Sequence, residues 1–489
     1  MKNEETRSIN KDAYNEIAER LEAPEKETLA EYYDVADRSA GGMGKIYFCQ
    51  DKRSKEFCVL KTFKEKDERF KKFFEKEADF ALRLNKHPNI VYTKTIAIEG
   101  GKYYIVMELI GKQPKSLEEE VEGRTLVQII NNSDKIEKKQ VLLWALEFCE
   151  GMEYLVSRGM KAHKDIKPSN LFITEEGHLK IGDFGLANLD RKSGTKGYRA
   201  PEYFQGDKEL DIRSDIYSFG LVLHELINGY NLENGTRLKT YNTTEVNKET
   251  EAVFIDPNKI ESLYYLDIIK KCLQREQKDR YQSINDLKEA LLKEAEKEKI
   301  NYTPAKELPM TADDWFAKGY GFYMLKCYKI SVPYFDKAIK LDQELYRAYY
   351  FRMLAKDKYL PRANEEIIED AIRVSNWSLN NKKFVKEDAE IFVIQGNAQR
   401  EIDEELAIEL YDKAIELDHQ YIDAYYNRGL TKFFLGKNKS AIKDFEATLN
   451  LNSKHEEAQK YLKLAKEKLK EQLKKALKTK KTNSHRRKM

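Results

Sequence analysis

Two short stretches of the sequence concentrate side chains that could carry out chemistry. In HKDIKPSN, residues 163–170, Asp165 and Asn170 stand five positions apart, a spacing that turns both side chains into one cleft. A second carboxylate, Asp183, follows in IGDFGLAN, residues 181–188. Carboxylate and amide oxygens are the ligands that hard cations such as Mg²⁺ prefer. The two stretches therefore indicate a cleft that can hold a metal ion.

The elements around these stretches are short β-rich runs followed by helical patterns. Five runs predict strands, and they are YYDVAD, KIYFCQ, FCVLKTF, TKTIAI and YYIVMELI. Helical periodicity follows in KKQVLLWALEFCEGMEYLVSRG, residues 138–159. This order predicts an α+β fold in which a small sheet lobe precedes a larger helical lobe.

Length and composition limit the classes of protein. A chain of 489 residues is too long for one ordinary core, so two or three domains are expected. The net charge of +3 gives no argument for nucleic-acid binding. No apolar run is long enough to span a membrane, and the charged first residues do not resemble a signal peptide. The five cysteines form no CxxC pair, so a reducing cytoplasmic setting is expected.

Composition divides the chain into five parts. A polar extension, residues 1–31, precedes a mixed region, residues 32–292. Residues 293–311, KEAEKEKINYTPAKELPMT, are charged and contain two prolines, which predicts a linker. Residues 312–455 are helical and repetitive, and residues 456–489 predict a capping helix that runs into a basic tail. The tail is interpreted as a solvated helix end, and contact with nucleic acid or an acidic membrane is the less favoured alternative.

The mixed region resembles a Hanks-type serine/threonine kinase of the bacterial kind, because the motifs of that family follow one another in order. SAGGMGKIY (39–47) is similar to the glycine-rich loop, CVLK (58–61) to the lysine strand, and YYIVMELI (103–110) to the strand that enters the hinge. HKDIKPSN and IGDFGLAN are similar to the catalytic loop and the metal-binding segment. The resemblance implies a bilobal kinase fold that uses ATP and Mg²⁺.

The resemblance also implies a nucleotide site between the two lobes. The residues that match it are Ser39, Ala40, Gly41, Gly42, Met43, Gly44, Ile46, Lys61, Met107, Glu108 and Ile110. Ser39 stands where the family has its first glycine. Met107 would be the gatekeeper beside the adenine, with backbone groups of Glu108 and Ile110 offered to it. Ile46 would cover the adenine from the glycine-rich side.

Four further residues would carry the catalytic roles of the family. Lys61 would contact the α- and β-phosphates and pair with Glu77, or with Glu75 if the register slips near the extra residue at 85–86. Asp165 would accept or orient the proton of the substrate hydroxyl, and Lys167 would neutralise charge on the transferred phosphoryl group.

The metal and the scaffold of the site have their own expected residues. Asn170 and Asp183 would hold Mg²⁺, since they supply the oxygen ligands that it prefers. His163 would brace the catalytic loop against the core, and Asp215 would brace it from below. A buried ion pair is expected between the two residues Glu202 and Arg280.

Lys164 stands where the family has an arginine that pairs with a phosphate on the activation segment. Lysine keeps the charge but loses the bidentate fork of arginine. The short activation segment offers chiefly Ser193 and Thr195, and Thr195 would hydrogen-bond toward Asp165. We therefore expect a kinase that depends little on phosphorylation of this segment and is gated by its repeats or by a partner.

Residues 312–455 resemble tetratricopeptide repeats. YFDKAIKLD and LYDKAIELD are nearly identical, and the 34 residues from Tyr411 to Phe445 match the period of this helix–turn–helix repeat. Glycines and alanines should let two helices approach closely, while Trp315, Phe335 and the two aromatic residues above fill the groove left by the next pair. About four repeats are expected, the second one irregular because it lacks the first-helix glycine. An unrelated helical bundle is the alternative.

Two further expectations concern the repeats. Prolines such as Pro333 and Pro361 should lie only near helix starts. The repeats should recruit a protein substrate or regulator, and self-association is the alternative.

The sequence as a whole predicts a protein serine/threonine kinase fused to a repeat scaffold, with a role in signalling, stress response or phage defence. A nucleotide-binding pseudokinase scaffold is the first alternative, and retention of Lys61, Asp165 and Asp183 argues against it. A small-molecule kinase is the second, and GTKGYRAPE (194–202) argues against that.

Overall fold

The structure is a computed structural model, and it describes most of the chain in two compact units that divide between Met310 and Thr311. The described residues are 33–36, 44–52, 54–63, 68–99, 102–116, 119, 124–132, 136–184, 196–204, 209–228, 244–247, 252–255, 257, 264–304, 306–360, 365–381, 389–400 and 402–486. The predicted extension, residues 1–31, lies outside them.

The first unit begins with a five-stranded antiparallel sheet of order β1-β2-β3-β5-β4. Its strands are β1 (Tyr33–Ala36), β2 (Gly44–Asp51), β3 (Phe57–Phe63), β4 (Thr93–Glu99) and β5 (Lys102–Glu108). Each run predicted as a strand overlaps one of them. In β3, Cys58 and Leu60 are buried in the sheet's own apolar cluster. Because side chains alternate along a strand, Lys61 lies on the opposite face.

Helices and two small hairpins make up the rest of the first unit. The helices are α1 (Glu68–Arg83), α2 (Leu126–Asn132), α3 (Lys138–Ser157), α4 (Ile212–Asn228), α5 (Leu266–Cys272) and α6 (Ile284–Lys297). The hairpins pair β6 (Leu171–Ile173) with β7 (Leu179–Ile181) and β8 (Thr244–Asn247) with β9 (Ala252–Ile255). The predicted order, a small sheet before a larger helical region, is confirmed.

Helix α3 forms the centre of the helical core and positions the segments that carry the site. Its side chains from Val141 to Leu155 are almost all buried. At Gly151 an added Cβ would lie 2.8 Å from the carbonyl oxygen of Asn89 and 2.9 Å from Cδ1 of Ile181. Only glycine lets the loop after α1 and strand β7 approach the helix this closely.

The second unit is helical throughout its described residues. Its helices are α7 (Ala312–Met324), α8 (Tyr328–Leu341), α9 (Tyr346–Asp357), α10 (Glu365–Asn381), α11 (Ala389–Gln399), α12 (Glu404–Leu417), α13 (Ile422–Phe434), α14 (Asn438–Leu451) and α15 (Glu456–Arg486). The first eight follow one another as four pairs, and α15 is a single long helix. No helix in the described part of the chain is both long and apolar enough to cross a membrane.

Three of the four pairs are held by a ring that lies on a glycine. A Cβ added to the glycine would stand 2.6 to 3.0 Å from the nearest ring carbon in the pairs Gly319–Phe335, Gly396–Tyr411 and Gly429–Phe445. The sequence predicted that the rings fill the groove of the next pair, and Phe335 and Phe445 do stack on Phe351 of α9 and Tyr461 of α15. Each ring also covers the glycine of its own pair. The reason is that the glycine leaves a hollow that the facing helix can occupy at once.

In the second pair, a large side chain stands at the glycine position and a small one at the ring position. Met353, fully buried, occupies the eighth position of α9, which is the glycine position of the other first helices. Ala371 follows Asp370 as Phe445 follows Asp444, so alanine stands where the ring would be. Met353 and Ala371 belong to one buried cluster. A large-for-small exchange therefore keeps the packed volume of this irregular repeat.

Pro333 corrects one expectation about helix starts. It lies inside α8, at the sixth residue. A proline there removes the hydrogen bond to the carbonyl oxygen of Lys329. Both residues are exposed, so water can satisfy that oxygen. Pro361 lies outside the described residues.

Candidate active site

Lys61 joins two carboxylates that come from distant parts of the first unit. Its Nζ lies 2.7 Å from Glu77 Oε1, on α1, and 2.7 Å from Asp183 Oδ1, just after β7. Burial alone would lower the pKa of Lys61, but the carboxylates of Asp183 and Glu77 together raise it above its ordinary value. Burial raises the pKa of Glu77, although Lys61 opposes this. The lysine is therefore a fixed cation at physiological pH.

The Asp165 side chain is held by two polar residues of its own loop, Lys167 and Asn170. Lys167 Nζ lies 3.0 Å from Asp165 Oδ2. The amide nitrogen of Asn170 donates to Asp165 Oδ2 and to the Asp165 carbonyl oxygen, both at 2.9 Å. One turn of 3₁₀ helix, Pro168–Asn170, brings the asparagine back over the aspartate. The carboxylate is thus fixed in one orientation.

The backbone before Asp165 is anchored from two further directions. Asp215 Oδ2 accepts the N–H of His163 at 2.7 Å, and its Oδ1 accepts the N–H of Lys164 at 2.8 Å. Lys164 has a φ of 68°, a left-handed conformation that costs energy for a residue with a Cβ. Tyr203 OH donates to the Lys164 carbonyl oxygen at 3.0 Å. These bonds hold the strained peptide in place.

His163 links the loop to the segment of Asp183. Its Nδ1 accepts the N–H of Asp165 at 3.4 Å, and its Nε2 lies 3.1 Å from the carbonyl oxygen of Gly182. Burial lowers the pKa of His163, so the ring is neutral and Nε2 carries the proton that Gly182 accepts. The histidine therefore braces two segments of the site.

A fully buried ion pair closes the base of the site. Arg280 Nη1 and Nη2 lie 2.7 and 2.8 Å from Glu202 Oε1 and Oε2. Neither side chain is more than 1% exposed. Ser214 Oγ donates to Glu202 Oε1, and the guanidinium also donates to the carbonyl oxygen of Gln274. The charges are therefore compensated in full, as burial requires.

The protein kinase domain family matches residues 39–292, which is more than half of the chain. This chain belongs to that family. The resemblance predicted from the motifs is thereby confirmed, and the kinase unit is the first of the two units. A TPR repeat family matches residues 404–436, which confirms the repeats in that part of the second unit.

The kinase chain is similar to bacterial serine/threonine-protein kinases. A probable one from Clostridium acetobutylicum is 27% identical over 282 residues, 54% of this chain and 40% of its own length. PrkC of Bacillus subtilis is 28% identical over 309 residues, 58% of this chain and 44% of its own. PknB of Mycobacterium leprae is 30% identical over 219 residues, 41% of this chain and 33% of its own. The chain thus spans less than half the length of these relatives.

The hinge residues of the kinase unit are tied to its helical part by a lysine that sequence reasoning missed. Glu108 accepts from Lys180 Nζ at 2.7 Å and from the N–H of Tyr92 at 2.7 Å. Lys180 lies between two buried residues of β7 and is itself only 9% exposed. The sequence signal that could have revealed Lys180 is a lysine between two apolar residues of a buried strand. Met107 pairs with Val59, and Ile110 is buried.

The remaining predicted nucleotide residues divide into two groups. Gly44 and Ile46 lie on β2, and Ile46 is directly opposite Lys61. The others fall outside the described residues, together with both predicted activation-segment residues: Ser39, Ala40, Gly41, Gly42, Met43, Ser193 and Thr195. The described part of the candidate site therefore consists of Lys61, the catalytic loop and the segment of Asp183.

The residues proposed for a metal ion fit a hard cation. Both hydrogen bonds of the Asn170 side chain come from its amide nitrogen, so its oxygen is the atom that can serve as a ligand. Asp183 adds a carboxylate that is 41% exposed. The peptide N–H of Gly182 donates to the Asn170 carbonyl oxygen at 3.0 Å, which ties the two segments together. Oxygen donors of this kind suit Mg²⁺.

Proposed function

We propose that the chain is an ATP-dependent protein serine/threonine kinase. The observation that carries the proposal is the joint contact of Lys61 with Glu77 and Asp183, with Asp165 fixed nearby in the catalytic loop. Such a constellation positions phosphate groups and stabilises charge, which is most of what phosphoryl transfer asks of a protein. The names of the similar proteins support the serine/threonine class.

The residues of the chain divide the work of transfer between them. Lys61 would bind the α- and β-phosphates of ATP, and Glu77 would keep the lysine extended toward them. Asp165 would orient the acceptor hydroxyl and take its proton. Lys167, 3.0 Å away, would neutralise charge on the transferred group. Bound Mg²⁺, held by Asn170 and Asp183, supplies further charge neutralisation.

The repeats would bring a protein to the kinase unit. The TPR repeat match supports a protein-binding role, because stacked helix pairs form extended surfaces that suit peptides. The bound protein would be a substrate or a regulator, and self-association is the alternative. The scattered cysteines, all free in the structure, support a reducing cytoplasmic location as part of the proposal.

The proposal is tested by phosphate transfer from labelled ATP with Mg²⁺ to generic basic proteins. Wild type is compared with Asp165→Asn, which keeps the shape of the side chain and removes its charge. We expect phosphoserine or phosphothreonine in the wild-type reaction, and a rate at least about 100-fold lower for the variant. Equal incorporation in both would contradict the proposal. Nucleotide binding without any transfer would favour the pseudokinase scaffold.

A further inference from the structure

The segment before the repeats packs against the kinase unit. Helix α6 ends at Lys297, inside the stretch that the sequence predicted as a linker, and Thr311 caps the start of α7. Residues 306–310, KELPM, form a strap beside the loop that follows α1. Pro309 restricts Leu308 to extended conformations, so the strap is stiffer than a linker of ordinary composition.

Backbone and ion-pair contacts attach the strap to the kinase unit. The N–H of Leu308 donates to the carbonyl oxygen of Lys86 at 3.1 Å, and the N–H of Lys86 donates to Met310 Sδ at 3.4 Å. Glu307 pairs with Arg158 Nη2 at 2.8 Å, just after the end of α3. The strap therefore binds both the loop and the helical core.

The other side of the same loop is held by Tyr154 of α3. Its hydroxyl accepts the N–H of Asn85 at 2.7 Å and lies 3.2 Å from the Asn85 carbonyl oxygen, to which it donates. The Tyr154 ring stacks on His87 with centroids 4.7 Å apart. The backbone N–H and carbonyl oxygen of both Asn85 and Lys86 thus have partners. Tyr154 supplies those of Asn85, and the strap supplies those of Lys86. Loss of the strap would remove both of its bonds to the Lys86 peptide groups.

This loop determines where α1 ends, and α1 carries Glu77. Only Leu84 separates the last residue of the helix, Arg83, from the clamped Asn85. A helix moves as a rigid element, so a shift at its end changes the distance from Glu77 to Lys61. We propose that the strap is a positioning element of the active site that holds α1 where Glu77 pairs with Lys61.

This inference rests on the proposed function for its kinetic consequence, and on geometry alone for its structural one. Because Met310 is followed directly by Thr311, the cap of α7, the strap is one peptide bond from the first repeat helix.

The test uses the full chain with Leu308→Pro, which removes the N–H donor, and Leu308→Ala as the matched control that keeps it. Hydrogen exchange is measured over residues 68–92, together with kcat and KM for ATP. We expect Leu308→Pro to speed exchange in α1 by about tenfold and to lower kcat/KM by about tenfold, the size of one net hydrogen bond. Leu308→Ala should stay within about twofold of wild type.

A second variant guards against local misfolding at the consecutive prolines. Replacing residues 307–310 by Gly-Ser-Gly-Ser removes the side-chain contacts of Glu307 and Met310 and the backbone restraint of Pro309, and it should change both readouts in the same direction as Leu308→Pro. Unchanged α1 exchange and unchanged kcat/KM in both variants would overturn the inference. A wild-type chain without transfer would contradict the proposed function alone, because exchange in α1 still reports whether the strap holds the helix.

Discussion

Arg280 in the kinase unit and two arginines of the repeats are fixed in different ways. In the kinase unit, Arg280 is fully buried and pairs with Glu202, 78 residues away. In the repeats, Arg352 and Arg428 are partly exposed and pair with aspartates 16 to 18 residues away. The pair Lys61–Asp183, also in the kinase unit, joins residues that are 122 positions apart in the sequence.

The arginines of the repeats form one clamp that occurs twice. Arg352 on α9 joins Asp336 of the preceding pair to Asp370 of its own. Arg428 on α13 does the same with an aspartate of α12 and one of α14. The Arg280–Glu202 and Lys61–Asp183 contacts close only when distant parts of the kinase unit come together, whereas each clamp closes between neighbouring helices. We therefore expect global effects from substitutions in the first unit and local effects in the second.

The largest effect is expected for Arg280→Gln. The variant leaves Glu202 as an uncompensated buried charge, which costs about 3–5 kcal/mol in comparable cases. Urea unfolding of the full chain, followed by hydrogen exchange to resolve the units, measures the loss. The kinase unit should lose stability as a whole while α11–α14 keep theirs. A fall of less than about 1 kcal/mol in the free energy of unfolding would contradict the expected difference between the two units.

The next largest effect is expected for Gly396→Ala. Its Cβ would stand 2.6 Å from Tyr411 Cε1, so the ring must move and the free energy of unfolding should fall by about 2 kcal/mol. Gly429→Ala is the matched control, because its nearest ring carbon, on Phe445, is 3.0 Å away and less displacement is needed. The same unfolding assay reads both. A larger loss for Gly429→Ala would contradict this packing account.

A smaller effect, on rate and not on stability, is expected for Tyr203→Phe. Burial, with Asp215 nearby, raises the pKa of Tyr203 well above its ordinary value, so the hydroxyl stays a donor to Lys164. Its loss should lower kcat by about tenfold and leave KM for ATP unchanged. Tyr265→Phe is the control, since its hydroxyl donates to a carbonyl oxygen of Lys138, at the start of α3. Equal kcat losses in both variants would remove the special role of Tyr203.

The smallest effects are expected for Arg428→Gln and Arg352→Gln. Both arginines are about one-sixth exposed, and Lys356 and Lys432 still face the buried aspartates after the substitution, so each loss should be only about 1 kcal/mol. Because each arginine pairs with two aspartates in the same arrangement, the two losses in free energy of unfolding should agree within about 0.5 kcal/mol. Thermal unfolding of each variant measures this. A difference above about 1.5 kcal/mol would show that the clamps are not equivalent.

Different physical signals made the two units predictable. In the kinase unit, the proposed functional groups Lys61, Asp165 and Asp183 stand in short motifs of the kind that phosphate and metal chemistry require, so the sequence could propose them. In the repeats, helix pairs could be found because their period and the glycines at Gly319 and Gly396 recur.

Sequence reasoning missed residues whose roles arise from contacts across the fold. Tyr203 and Lys180 act through hydrogen bonds to segments far along the chain, and no local sequence pattern reveals such partners. The strap was interpreted as part of a linker because charged residues and proline are typical of both. The exchange of Met353 for glycine hid the regularity of the second repeat, since packing conserves volume and not residue type.

The most direct test of the account compares Asp183→Asn with wild type in two assays on the full chain. Nucleotide affinity is measured without metal, and phosphoryl transfer from ATP is measured with Mg²⁺. If the joint contact of Lys61, Glu77 and Asp183 is an active site, the variant should bind nucleotide within about tenfold of wild type and lose transfer by at least about 1,000-fold. Equal transfer rates, or nucleotide binding by a wild type that transfers nothing, would contradict the central claim.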